Sequence, residues 1–114
     1  MALPKDGQLL RIFIGESDKH DGMPLFEWII RQARERSLAG VTITRGIEGY
    51  GRASQIHTAK ILRLSEDLPI IIEIVDVKEK IEDFIEVVDP VIDGGLVTVE
   101  NVQVRLYRSE NKEK

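Results

Sequence analysis

An α+β domain with the element order β-α-β-β-α-β is predicted by three features of the sequence. Short β-rich apolar runs recur at Leu9–Ile14, Val41–Arg45, Leu68–Val75 and Leu96–Tyr107. Two segments between them, around Leu25–Ala33 and Ile81–Val88, carry apolar residues at helical spacing instead. Gly or Pro stands at the junctions, where the chain has to change direction.

Leu9–Ile14 ends at Gly15 and reads as the first strand. The polar connection Gly15–Gly22 follows, and Pro24 suits a first helical turn, where its missing N–H costs nothing. Leu25, Trp28, Ile29, Gln32, Ala33 and Arg36 then share one helical face, with Trp28 expected in the core and Gly40 as the stop. Val41, Ile43 and Arg45 alternate with Thr42 and Thr44, the pattern of a half-buried strand.

A glycine-rich stretch comes next, then a β-like run at Ile61–Leu64 that Ser65-Glu66-Asp67 breaks. Leu68–Val75 is apolar almost throughout, which suits a central strand covered on both faces. Asp76 is placed to cap a second helix by accepting a first-turn N–H. In that helix Ile81, Phe84, Ile85 and Val88 follow i, i+3, i+4, i+7, and Pro90 ends it. Asp93-Gly94-Gly95 is a turn. In the last strand region Val97 and Val99 share one parity and Val102, Val104 and Leu106 the other, which implies a bulge or turn at Glu100-Asn101. The order matches the ferredoxin-like, split β-α-β arrangement: an antiparallel sheet with two helices on one face and the other face open.

The 114 residues form one domain, with a core over about residues 9–107 and a polar, frayed tail at 108–114. Hydrophobic residues at 42% and charged residues at 32% describe a globular chain rather than a disordered one. There is no apolar run long enough for a membrane span and no leader, and cysteine is absent, so a cytoplasmic location is expected. A formal charge of −4 argues against a nucleic-acid binder but leaves room for a small anion held by local arginines and backbone N–H groups. Glu16, Asp18, His20 and Asp21 lack the ordered oxygen ligands of a calcium loop and the converging ligands of a zinc site. They read as a solvated loop, and no metal is expected.

The segment Gly40-Val41-Thr42-Ile43-Thr44, followed by Gly49-Tyr50-Gly51-Arg52, resembles the strand and long flexible loop of PII signalling proteins. Ile72-Glu73-Ile74-Val75 is similar to their third strand, Asp93-Gly94 to their B-loop, and Val104-Arg105-Leu106 to their arginine-bearing last strand. The wording of RIFIGESDKHDG, RGIEGYGR and IHTAKILRLSEDLP resembles most a PII-like family whose members are functionally uncharacterised. The resemblance implies a homotrimer that binds an adenine nucleotide (ATP, ADP, AMP or cyclic AMP) between subunits. It also implies signalling through a mobile loop at about residues 46–58 to a target such as a membrane transporter or an enzyme. The nucleotide is then an effector; no cofactor is required.

Under the resemblance, the nucleotide-binding residues are Thr42, Gly49, Tyr50, Gly51, Arg52, Asp93, Gly94, Gly95 and Arg105. The glycines let backbone N–H groups approach an anion, and the two arginines offer planar forks to phosphate oxygens. Thr42 offers a hydroxyl to base or ribose, and Tyr50 a ring beside a purine. The chain departs from the PII pattern in several places. The spacer from Thr44 to Gly49 is one residue longer, and Ile71, Gly95 and Tyr107 stand where PII proteins carry basic residues. No tyrosine lies between Arg52 and Leu68, so control by uridylylation is not expected. The missing charges imply weaker triphosphate binding and a preference for ADP, AMP or a cyclic nucleotide.

Two other readings stand beside this one. A small phosphohydrolase on the same fold would need an arginine cradle and a water-positioning amide, yet the asparagines, Asn101 and Asn111, lie far from the glycine-rich loop. With two histidines, no cysteine and no visible nucleophile–base pair, an enzyme is not expected. A ligand-free trimeric adaptor would leave Arg105 in an ordinary ion pair with Glu73 or Glu100.

Overall fold

A computed structural model describes residues 6–49, 57–58 and 68–108. The elements are β1 (Asp6–Gly15), β2 (Lys19–His20), β3 (Met23–Pro24), α1 (Leu25–Glu35), β4 (Thr42–Arg45), β5 (Glu48–Gly49), β6 (His57–Thr58), β7 (Pro69–Asp76), α2 (Lys78–Val88), a 3-10 turn (Asp89–Val91) and β8 (Leu96–Gln103). The main sheet has the order β4-β7-β1-β8, antiparallel throughout, which is the ferredoxin-like topology. The β-like run at Ile61–Leu64 lies outside the described residues.

Strand alternation sets the core. Leu10, Ile12 and Ile14 of β1 and Ile70, Ile72 and Ile74 of β7 point to one face and are buried. Onto them pack Leu25, Ile29 and Ala33 of α1, one residue per turn, and Ile81, Phe84 and Val88 of α2. Trp28 lies at the margin of this core, half-buried, its ring edge-on to His20 at 4.7 Å.

Four local expectations are corrected. The near-continuous apolar run of β7 is not covered on both faces: Ile71, Glu73 and Val75 lie on the face opposite the helices and are only half-buried within the chain. β8 contains no bulge, since its pairing with β1 runs unbroken from Asp6↔Gln103 to Phe13↔Leu96. The shift in apolar parity is a change of face instead: Val97 and Val99 lie beside Ile12 and Leu10 on the helix side, whereas Val102 lies beside Gly7 on the open side.

α1 stops at Glu35 rather than near Gly40. Ser37 takes the left-handed conformation (φ 59°), and the N–H groups of Ser37 and Leu38 donate to the carbonyls of Arg34 and Ala33, at 3.1 Å each. This is a Schellman closure with serine where glycine is usual. Finally, Asp76 does not cap the first turn of α2, whose N-cap is Val77. Its buried carboxylate accepts the Ala39 N–H at Oδ2 (2.9 Å) and the Val77 N–H at Oδ1 (2.7 Å), joining the α1–β4 loop to the end of β7.

The stretch expected to be a plain loop before α1 is partly a hairpin. β2 and β3 pair across Asp21-Gly22, both at positive φ (54° and 76°), the conformation an Asp-Gly hairpin turn requires. Asp18 accepts the Gly15 N–H at 3.0 Å, so the acidic residues here are occupied with local structure.

Candidate functional site

The open face of the sheet carries the site. The register aligns Thr42 with Glu73 and Glu73 with Arg11, a polar row across β4, β7 and β1. Leu9 and Val75 flank it on the same face. After Gln103 the chain leaves the edge strand beside β1 and reaches the far side of β7, where the Tyr107 hydroxyl donates to the Ala39 carbonyl at 2.9 Å. The tail therefore crosses the open face. Between tail and sheet lies a groove of about 510 Å³, lined by Leu9, Arg11, Ala39, Gly40, Thr42, Glu73, Val75, Val104, Leu106 and Tyr107. That volume falls within the range of small-molecule sites, about 300–1,000 Å³.

Charge within the groove is paired. Arg11 Nε donates to Glu73 Oε2 at 2.8 Å, and Arg11 Nη1 lies 3.7 Å from Glu100 Oε1. The hydrogen bond to Glu73 holds the Arg11 pKa above its ordinary value; burial opposes it, and the charges of Glu100 and Glu73 add to it. Glu73 and Glu100 thus pair with Arg11, and the alternative ion pair of Arg105 with either of them is not formed. The result is an amphipathic slot, with the Arg11–Glu73 ion pair and Thr42 among its lining and Leu9, Val75, Val104 and Leu106 around them. Such a slot suits a flat, largely apolar ring with polar edges.

The predicted nucleotide-binding residues fall in different places. Thr42 lines the groove. Gly49 lies in β5, where its backbone pairs with His57 of β6, so a short antiparallel ladder closes the base of the glycine-rich excursion. Tyr50, Gly51 and Arg52 lie outside the described residues. Asp93 and Gly94 are exposed in the turn before β8, and a side chain added at Gly94 would meet nothing within 4 Å. Gly95 is different: an added Cβ would sit 2.5 Å from the Phe13 carbonyl oxygen, so packing within the chain already demands glycine.

Arg105 is exposed in the tail, between the groove residues Val104 and Leu106, and makes none of the ion pairs among the described residues. β8 separates it from Asp93–Gly95, a span of roughly 27 Å for eight strand residues. Within one chain the excursion at Gly46 and the turn at Gly95 leave the same end of the sheet from opposite edges, roughly 14 Å apart across three strand spacings. A single chain therefore gathers three of the four sequence blocks at the groove, through Gly40 and Thr42, Glu73 and Val75, and Val104 and Leu106. It leaves the root of the excursion, at Gly46, and the Asp93–Gly95 turn at opposite edges of the sheet.

The root of the excursion is held firmly. The Gly46 N–H donates to the Pro69 carbonyl at 2.7 Å and the Glu16 N–H to the Leu68 carbonyl at 2.8 Å. Arg45 Nη2 donates to Glu16 Oε2 at 2.7 Å, so Glu16 anchors the point where the excursion leaves the sheet.

Sequence reasoning missed Leu9, Arg11, Ala39 and Tyr107 as groove residues. For Arg11 a signal was present: in Leu9–Ile14 it breaks one parity of an otherwise apolar strand, which marks the face without helices. Ala39 and Tyr107 had none, because their meeting depends on the path of the tail. No helix among the described residues is long and apolar enough to cross a membrane.

Comparison with known proteins agrees with this architecture. The DUF190 family model, described as an uncharacterized ACR, matches residues 7–104. A UPF0166 protein of Aquifex aeolicus (strain VF5) is 39% identical over 97 residues, covering 85% of this chain and 91% of that protein. A UPF0166 protein of Methanocaldococcus jannaschii is 33% identical over 107 residues, covering 93% and 96%. Among solved structures, CPII from Thiomonas intermedia K12, a nitrogen regulatory PII-like protein bound to ADP, AMP and bicarbonate, aligns with a TM-score of 0.68 at 20% identity over 87% of this chain and 88% of CPII. The apo form of CPII aligns with a TM-score of 0.60 at 18% identity, over 87% and 91%. The CPII likeness establishes the fold as PII-like. With its match running through both helices and all four strands of the main sheet, the chain belongs to the DUF190 (UPF0166) family.

Proposed function

We propose that this protein is a PII-like regulator that binds an adenine nucleotide and reports its occupancy through the excursion between β4 and β7. One observation carries the reading: three separate blocks that resemble PII sequence line a single groove, on a fold shared with CPII, which is known bound to ADP and AMP. The groove receives the adenine ring, with the Thr42 hydroxyl toward the base or ribose. The phosphates run toward the glycine-bearing excursion and Arg52, and a neighbouring subunit of a homotrimer supplies Asp93–Gly95. The root of the excursion and the Asp93–Gly95 turn stand at opposite edges of one chain's sheet, which supports a site completed by a second subunit. The exposed Leu96 and Val99 on edge strand β8 offer apolar surface for that assembly.

The output is conformational. Nucleotide contacts favour one arrangement of the segment at about residues 46–58, and that arrangement engages the target protein. The reading is regulatory, not catalytic: the groove's carboxylate, Glu73, is held by Arg11, and no nucleophile–base pair lines it among the described residues. The nucleotide pool it samples is cytoplasmic, and the absence of basic residues at Ile71, Gly95 and Tyr107 favours ADP or AMP over ATP.

Differential scanning fluorimetry with ATP, ADP, AMP and cyclic AMP tests this. A ligand at about 100 times its Kd stabilises by about 2.7 kcal/mol, which for a domain of this size raises Tm by roughly 10 °C. ADP or AMP is expected to give the larger rise. Flat traces with all four nucleotides contradict the reading.

A further inference from the structure

The tail after β8 is anchored in an unusual way. Among the described residues, 104–108 take part in none of the backbone hydrogen bonds outside the helices and strands. Their fixed point is Tyr107, whose hydroxyl donates to the Ala39 carbonyl at 2.9 Å. Ala39 is itself immobilised, since its N–H donates to the buried Asp76 carboxylate. The Tyr107 ring is therefore held at both ends, by its own backbone on the tail and by its hydroxyl on the opposite loop. Tyr107 is 46% exposed and lines the groove together with Thr42, Glu73 and Val75.

Two consequences follow from chemistry. An exposed aromatic ring locked at both ends keeps its orientation without further ordering, which is what a stacking surface requires. Also, the one guanidinium in the groove wall, Arg11, is held between Glu73 and Glu100, so the slot lacks an unpaired cation among its lining residues. Its natural occupant is a flat uncharged heterocycle, recognised by its face and edges, with any phosphates lying outside.

We propose that Tyr107 is a ring-binding residue of this groove: its aromatic face stacks on the heterocyclic base, and its hydroxyl bond to Ala39 sets the stacking angle. The proposal deepens the nucleotide reading and rests on it. It makes the tail up to Tyr107 part of the site.

Three variants test it by calorimetry and fluorescence with ADP as the probe. Tyr107→Leu removes the ring and is expected to weaken ADP binding about ten-fold or more, the usual scale for loss of one base–aromatic stack. Tyr107→Phe keeps the ring and loses the hydroxyl bond; ADP affinity should stay within about three-fold, the loss of a single neutral hydrogen bond. Tyr107→Trp should bind ADP and show quenching of the added indole emission, against the Trp28 background measured in the parent protein, while pyrophosphate at the same concentration leaves that emission unchanged. The proposal is overturned if Tyr107→Leu binds ADP as the parent does, or if Tyr107→Trp is saturated by ADP without quenching. A parent protein that binds no adenine nucleotide overturns the functional reading and this proposal together, a result distinct from normal parent binding with indifferent variants.

Discussion

Asp76→Ala is expected to lower stability by about 3 kcal/mol, because it leaves two backbone donors without partners and each such loss costs about 1–3 kcal/mol. The carboxylate is fully buried and holds the N–H groups of Ala39 and Val77, at 2.9 and 2.7 Å. Had it acted only as a helix cap, as its position before α2 suggested, the cost would be nearer 1 kcal/mol. The size of the loss therefore separates the two roles. Asp76→Asn should recover only part of it, since one end of the amide would turn an N–H toward a backbone N–H. Urea unfolding followed by circular dichroism measures both, with the midpoint moving and the slope unchanged. A loss near 1 kcal/mol for Asp76→Ala would mean that the link to Ala39 contributes little. Because Ala39 also holds Tyr107, the same variant should loosen the tail across the groove.

Gly95→Ala is the second large effect, expected to destabilise by about 2 kcal/mol through overpacking. The added Cβ would lie 2.5 Å from the Phe13 carbonyl oxygen, with methyl carbons of Ile92 and Ile14 at 3.2 and 3.3 Å. Phe13 belongs to β1, which is paired on both sides by β7 and β8 and has little freedom to yield. Its neighbour is the control: a Cβ at Gly94 meets nothing within 4 Å, so Gly94→Ala should leave stability within about 0.5 kcal/mol. Thermal unfolding of the two variants checks the contrast. If the turn also presents N–H groups to nucleotide phosphates, Gly94→Ala will weaken ADP binding without changing the fold. Equal stability losses at the two positions would remove the packing argument for Gly95.

The fold was legible because its signals are local and periodic. Leu10, Ile12 and Ile14 alternate, as do Ile70, Ile72 and Ile74, while Leu25, Ile29 and Ala33 recur with the helical turn. Each pattern follows from backbone geometry alone. What failed depended on partners distant in sequence. The parity of Val102 reflects the face of β8 that has no helices, and Val104 lies in the tail beyond the strand, so no bulge is needed. Asp76 looked like a cap because its second partner, Ala39, is 37 residues away. Helix α1 was extended toward Gly40 because Ser37, rather than glycine, takes the left-handed position at its end.

The site was legible in the same proportion. Thr42, singled out by its similarity to PII strands, lines the groove, and Glu73, Val75, Val104 and Leu106 belong to blocks already singled out. Arg11 and Tyr107 were not, since one lies on the unmarked parity of β1 and the other reaches the groove only by crossing the sheet. Gly95 carries two demands, one from packing and one proposed from ligand binding, and a sequence pattern has no means of separating them.

The most direct measurement is a crystal structure of the protein grown with ADP. Density for the adenine ring is expected in the groove, bounded by Thr42, Glu73, Val75 and Tyr107, with the diphosphate leaving toward the β4–β7 excursion and the Asp93–Gly95 turn of an adjacent subunit. An empty groove at saturating ADP, or an adenine ring bound elsewhere on the chain, would contradict the account.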